Sequence, residues 1–138
     1  MPAPEFLDTN VLVYAYDSSS RRKQPVAQRS LRAALAGHSV ISAQVLAEFA
    51  ATLLHKVSPA IAPSDLVSIL NALEPVKVLA PDAGVIRRAV EARATYGIHF
   101  YDGMIVAAAE KAGCKRIWSE DFNSGQKYFG VIVENPFP

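Results

Sequence analysis

The sequence predicts an α/β fold built on a parallel sheet with helices on both faces, and three observations carry that prediction. Short apolar runs alternate along the chain with stretches of helical periodicity, the pattern that parallel strands joined by helical crossovers produce. The stretch Asp102 to Ala112 is apolar nearly all round, as a helix buried at the centre of a domain must be. Asp8 stands where a short apolar strand runs straight into a helix, the edge where open α/β sheets collect their ligands.

The elements follow in order. Phe6-Leu7 reads as the first strand and Val11 to Tyr16 as the first helix, with the polar loop Ser18-Ser19-Ser20-Arg21-Arg22 behind it. Pro25 suits the first turn of a second helix, whose stripe Ala27, Leu31, Ala34, Leu35 has helical spacing and which Gly37 stops. Ser39 to Ser42 is a short strand, and Leu46, Phe49, Ala50 and Leu53 mark a helix over Ala43 to Lys56. Pro59 and Pro63 frame a loop, after which Ser64 is the expected cap of a helix buried through Leu66, Ile69, Leu70 and Leu73. Val76 to Ala80 is a third strand. Pro81 opens a helix with the stripe Ile86, Ala89, Val90, ended by Gly97. Gly113 ends the central helix, Ile117-Trp118 is a fourth strand and Val131-Ile132-Val133 a fifth, with Asn135-Pro136-Phe137-Pro138 closing the chain.

Length and composition bound the rest. The chain of 138 residues is one domain's worth, 1–138, and no repeat, linker or low-complexity segment divides it. Apolar residues make up 51% and charged residues 20%, which excludes a disordered tail. A formal net charge of +1 means that any footprint for a polyanion must be local. Candidates are Arg21, Arg22 and Lys23 with Arg29 and Arg32, and the set Arg87, Arg88 and Arg93, although each alone reads as a solvated helix face. Cys114 is the only cysteine, so no internal disulfide forms, and its surroundings read as those of a small buried hydrophobe. The opening Met1-Pro2-Ala3-Pro4-Glu5 lacks the positive region of a signal peptide, and apolar runs such as Met104 to Ala109 fall far short of a membrane span. The expectation is a soluble, cytoplasmic protein.

The chemistry lies in four acids. Asp8 follows a strand, Glu48 sits in an apolar helix, Asp102 stands at a helix start, and Asp121 lies just past a strand. Taken singly, Asp8 and Asp102 have a competing role as helix caps and Asp121 as a turn former. Glu48, on the flank of the Leu46, Phe49, Leu53 stripe, is expected to be partly buried and to need a counter-charge. In a parallel sheet, strand carboxyl ends and the amino ends of following helices share one edge, so the four should converge. Two carboxylates about 4 Å apart repel by on the order of 4 kcal/mol at an effective dielectric near 20. A divalent cation relieves that repulsion, and all-oxygen ligation selects Mg²⁺ or Mn²⁺ over zinc. Other chemistries find little support. His38, His55 and His99 lack metal-ligand spacing, no glycine-rich phosphate loop is present, and no Gly-x-Ser-x-Gly elbow occurs.

These residues resemble the PIN-domain ribonucleases, and within them the VapC-type toxins of bacterial toxin–antitoxin pairs. The resemblance rests on Phe6-Leu7-Asp8-Thr9-Asn10-Val11-Leu12, on Ile41-Ser42 followed by the helix holding Glu48-Phe49, on Tyr101-Asp102-Gly103 opening an alanine-rich helix, and on Trp118-Ser119-Glu120-Asp121-Phe122-Asn123. It covers essentially the whole chain, in order. It implies a three-layer α/β/α sandwich with a mainly parallel central sheet, one or two Mg²⁺ or Mn²⁺ ions on Asp8, Glu48, Asp102 and Asp121, and endonuclease activity on RNA. The family's last acidic position varies, so Glu120 is a further candidate for it. A homodimer and a small VapB-like antitoxin are implied as partners, with no membrane. The implied reaction is hydrolysis of an RNA phosphodiester by metal-activated water, leaving 5′-phosphate and 3′-hydroxyl ends. Thr9 and Asn10 are placed to orient the carboxylates or to hydrogen-bond the phosphate; helix capping competes with that role.

Two rival readings remain. A phosphatase of the haloacid dehalogenase type also begins with a strand and an aspartate, but wants a second aspartate at the position of Asn10. A non-catalytic RNA- or protein-binding module would have no need of four acids.

Overall fold

A computed structural model describes residues 3–137; Met1, Pro2 and Pro138 lie outside them. The chain runs β1 (Glu5–Leu7), α1 (Thr9–Tyr16), α2 (Lys23–Leu35), β2 (Ser39–Ser42), α3 (Ala43–His55), α4 (Pro63–Ala72), β3 (Lys77–Leu79), α5 (Ala83–Tyr96), α6 (Phe100–Lys111), β4 (Arg116–Trp118), β5 (Lys127–Tyr128) and β6 (Val131–Glu134). The strands form one sheet in the order β3-β2-β1-β4-β6-β5, parallel except for the hairpin of β5 and β6. The helices fall into two packing groups, α1 to α4 and α5 with α6, giving the α/β/α sandwich that the sequence implied. No helix among the described residues is long and apolar enough to cross a membrane.

Strand order locates the site. From β1 the chain proceeds outward through β2 to β3, then returns to place β4 on β1's other side, with β6 and β5 beyond it. The direction of winding therefore reverses between β1 and β4, and the crevice outside their carboxyl ends is the natural ligand position of such a sheet. Register brings Leu7 opposite Trp118, so the next residues, Asp8 and Ser119, stand side by side at that crevice. Beneath them lies a core of Phe6, Leu7, Val106 and Ile117, each no more than 1% exposed.

Several local expectations need correction. The helix at Pro63 is capped by Ala62 without a side-chain bond, and Pro63 rather than Ser64 sets its start, since proline's fixed φ suits the first helical position. In α5 the buried residues are Val85, Ala89 and Ala92, whereas Ile86 and Val90 are 46% and 56% exposed. The buried stripe is narrow because α6 approaches too closely for larger side chains. β5 was not anticipated: a two-residue strand carries no periodicity, and its hairpin depends on Phe129 and Gly130, both at positive φ, 50° and 83°.

Candidate active site

Asp8 is fixed from every side. Its backbone N–H donates to the Trp118 carbonyl at 3.0 Å, continuing the β1–β4 ladder by one residue. One carboxylate oxygen accepts from the Thr9 N–H at 2.8 Å and the other from the Ser119 hydroxyl at 2.7 Å. The side chain thus caps α1, and the charges of two other acids act on it as well. Only 5% of the residue is exposed. Burial pushes its pKa up to about 6; the bonds from Ser119 and Thr9 oppose that rise, while the charges of Asp121 and Glu48 add to it.

Ser119, wholly buried, is a hub that sequence reasoning did not single out. Its oxygen donates to Asp8 and accepts from the Asn10 amide at 3.2 Å and from the Asp121 N–H at 3.1 Å. Asn10 in turn donates to the Asp121 carboxylate at 3.1 Å and accepts from the Glu120 N–H at 3.3 Å. Asn10 therefore joins α1 to the turn after β4. Thr9 reaches the other way, its hydroxyl donating to Glu48 at 3.4 Å.

Glu48 departs from expectation. It is exposed, not partly buried, because it lies beyond the edge of the buried Val45, Phe49, Leu53 stripe. Its side chain accepts from the Thr9 hydroxyl and from the Gln44 amide one turn earlier, the latter at 2.7 Å, where the sequence predicted a counter-charge. The same Gln44 nitrogen also donates to the Tyr101 carbonyl at 3.1 Å, tying α3 to the first turn of α6.

Asp102 sits inside that turn and is not its cap. His99 caps α6, its Nδ1 accepting from the Tyr101 N–H at 3.2 Å, and the helix starts at Phe100. Burial raises the Asp102 pKa, nearby His99 lowers it, and Asp121 and Glu48 raise it further. Gly103 explains the placement. A Cβ there would stand 2.7 Å from the Ala89 carbonyl oxygen of α5, so only glycine permits this helix crossing.

Asp121 is exposed, and its charge acts on both Asp8 and Asp102. Glu120 is committed elsewhere. It accepts from the Tyr14 hydroxyl at 2.7 Å and forms an ion pair with Lys23, also at 2.7 Å. Those contacts raise the pKa of Tyr14 and of Lys23.

A groove of about 400 Å³ runs from Thr9, Asn10, Glu48 and Asp121 toward Asp17 and Lys56. Of the basic candidates, few lie at this groove. Lys23 stands at the groove through Glu120, and Lys56, which was not anticipated, lines it. Arg88 is removed from it, bound to Glu91 and to Glu110 at the far end of α6, with its guanidinium 3.5 Å over the Phe129 ring. Arg93 donates to the Ile98 carbonyl. Cys114 is buried as expected, its thiol pushed up to about 11. Among the described residues no three His, Cys, Asp or Glu side chains make a ready-formed set of metal ligands. The charges of Asp121 and Glu48 act on both Asp8 and Asp102 across the crevice.

Residues 6–128 match the sequence model of the PIN domain, and the chain belongs to that family. Solved structures share the fold over nearly the whole chain. A toxin–antitoxin complex from Klebsiella pneumoniae is 19% identical with a TM-score of 0.71, over 96% of this chain and 98% of the other. DNA-bound VapBC from Salmonella typhimurium is 18% identical with a TM-score of 0.69, over 98% and 99%. Mycobacterium tuberculosis VapC20, described as a sarcin–ricin loop cleaving toxin, is 18% identical with a TM-score of 0.66, over 86% and 91%. At these identities the likeness is one of fold. No curated protein matches the chain in sequence.

Proposed function

We propose that this protein is a Mg²⁺- or Mn²⁺-dependent endoribonuclease, the VapC-type toxin of a toxin–antitoxin pair, held in check by a small VapB-like antitoxin and acting as a homodimer. The observation that carries the reading is the state of Asp8: a buried carboxylate with its pKa raised to about 6, acted on by the charges of Asp121 and Glu48, while the ion pairs of Lys23, Arg88, Lys111 and Arg116 all go to other acids. Such an arrangement is costly unless a ligand compensates it. The donor set is all oxygen, which fits a hard divalent ion in charge and in ligand chemistry. Asp8, Glu48, Asp102 and Asp121 would hold it. When bound, the ion supplies a polarised water for attack on phosphorus and stabilises charge on the phosphate oxygens.

The chain's own residues do the rest. Ser119 and the Thr9 N–H hold the two oxygens of Asp8 in a fixed plane, so little reorganisation is needed when a cation arrives. Asn10 keeps Asp121 turned into the crevice, and Gln44 holds Glu48 against the start of α6. Glu120 is neutralised by Lys23, which supports Asp121 as the fourth acid. The positive end of the α1 dipole, beside Asp8, further favours an anionic phosphate at the groove. Lys23 and Lys56 offset the repulsion that the acids exert on a polyanion.

Purified protein incubated with total RNA and Mn²⁺ should yield discrete fragments with 5′-phosphates, and EDTA should prevent this. Cleavage unaffected by EDTA would remove the metal from the reading. RNA left intact, yet bound by the protein, would favour the non-catalytic module.

A further inference from the structure

Glu48 forms part of two adjoining depressions. On one side is the polar groove that contains Thr9, Asn10 and Asp121. On the other is an open, mainly apolar hollow of about 370 Å³, bounded by Gln44, Ala47, Glu48 and Tyr101. Tyr101 is 57% exposed, more than any other large apolar side chain among the described residues. Exposure alone says little, but this ring is also held in place. It stacks on His99 with centroids 5.7 Å apart and planes inclined by 26°, and meets the edge of Phe100 at 5.2 Å. Its N–H donates to His99 and its carbonyl accepts from Gln44, the amide that also binds Glu48. The residue that follows is Asp102.

We propose that Tyr101 is a stacking platform for one unpaired nucleobase of a single-stranded RNA segment, the base beside the phosphodiester that the acids engage. The proposal rests on the ribonuclease reading and adds a binding subsite to it. Three features favour a base over an apolar protein surface. The platform is a single ring rather than a broad patch. Its hollow shares the Glu48 wall with the acidic groove, so a strand whose phosphate enters the groove brings a neighbouring base to the ring. The hollow also falls in the lower part of the size range of small-ligand sites, about 300–1,000 Å³. Aromatic stacking tolerates any base, so the subsite would orient the strand and leave sequence choice to other contacts.

The test uses full-length protein carrying Asp8→Asn, which prevents cleavage, and a short fluorescein-labelled single-stranded RNA of mixed sequence. Adding Tyr101→Ala should weaken binding roughly tenfold or more, whereas Tyr101→Phe and Tyr101→Trp should stay within about threefold of the parent. Thermal midpoints of all three should match the parent. On an RNA of intact sugar-phosphate backbone that lacks its bases, the alanine substitution should have no effect. In the active background the alanine loss should appear in KM, with kcat kept. RNA affinity unchanged in the alanine variant overturns the subsite, and so does a loss that neither Phe nor Trp restores. Unchanged RNA affinity with an altered oligomeric state would assign the ring to a protein contact instead. Failure of the ribonuclease reading itself would be visible earlier, as a parent that binds no RNA and a wild type that cleaves none.

Discussion

At the amino edge of the sheet acids meet cations, and at the carboxyl edge acids meet acids. Lys111 pairs with Asp82, Arg88 with Glu110, and Arg116 with Glu5, all near the start of β1 and β4 or the end of α6. Across the molecule, the charges of Asp121 and Glu48 raise the pKa of both Asp8 and Asp102, and the nearby Lys23 is bound to Glu120. The ion pairs of Lys23, Arg88, Lys111 and Arg116 thus all go to acids other than these four.

The contrast can be broken at several points, and the largest effect should come from Asp8. Asp8→Asn keeps an acceptor for the Thr9 N–H and removes the buried charge. RNA cleavage should fall by roughly 10³-fold or more. Metal-free stability at pH 8 should rise by up to about 3 kcal/mol, the cost implied by a pKa raised from 3.8 to about 6. Urea unfolding in EDTA measures the second effect; equal stability of both proteins would mean that Asp8 carries no such cost.

The same cost should be visible in the wild type as a pH dependence. Between about pH 4 and pH 6 the folded protein holds a proton on Asp8 that the unfolded chain has released. Stability contributed by this group is therefore complete below pH 4 and lost as pH rises through 6. Metal-free protein should lose about 3 kcal/mol from this source across that window. Other groups being shared, the Asp8→Asn variant should lack that decline.

Ser119→Ala removes a donor that opposes the rise in the Asp8 pKa and leaves Asn10 and the Asp121 N–H short of an acceptor. It should destabilise the fold by about 1–3 kcal/mol and shift the acidic limb of the pH–rate profile upward. A stability loss with an unmoved profile would make Ser119 a structural hub only. Asp102→Asn should abolish cleavage while leaving the metal-free fold intact or slightly more stable. Thermal melts with and without Mn²⁺ should show a smaller gain from metal than in the wild type. Equal gains together with full activity would exclude Asp102 from the site. The smallest effect belongs to the paired edge: Arg88→Ala should cost about 1 kcal/mol or less, as a surface ion pair does, with cleavage rates unchanged.

The sequence was most legible where chain order and space coincide. A strand running into a helix at Asp8, and an apolar helix opened by Tyr101-Asp102-Gly103, follow from local pattern and put their acids on the carboxyl edge by topology alone. What escaped depends on partners far apart in the chain. Ser119 becomes a hub only because β4 lies beside β1, and Glu120 is distinguished from Asp121 only by Lys23 and Tyr14, 97 and 106 residues away. The exposure of Glu48 was misjudged because a helical wheel gives the flank of a stripe but not how far the neighbouring element covers it. In α5 the stripe through Ile86 and Val90 was drawn by hydrophobicity, whereas the crossing with α6 selected small residues.

Gly103 carries a consequence for genetics. It bears no charge and lines neither the polar groove nor the hollow beside it, yet it sets where the backbone of Asp102 comes to rest, since any side chain there strikes α5. Every single-base change that replaces a glycine codon by another amino acid's adds a Cβ. A population selected to escape the activity of this protein should accordingly collect lesions in two places: at the four acids, and at a glycine whose role no inspection of charges would reveal.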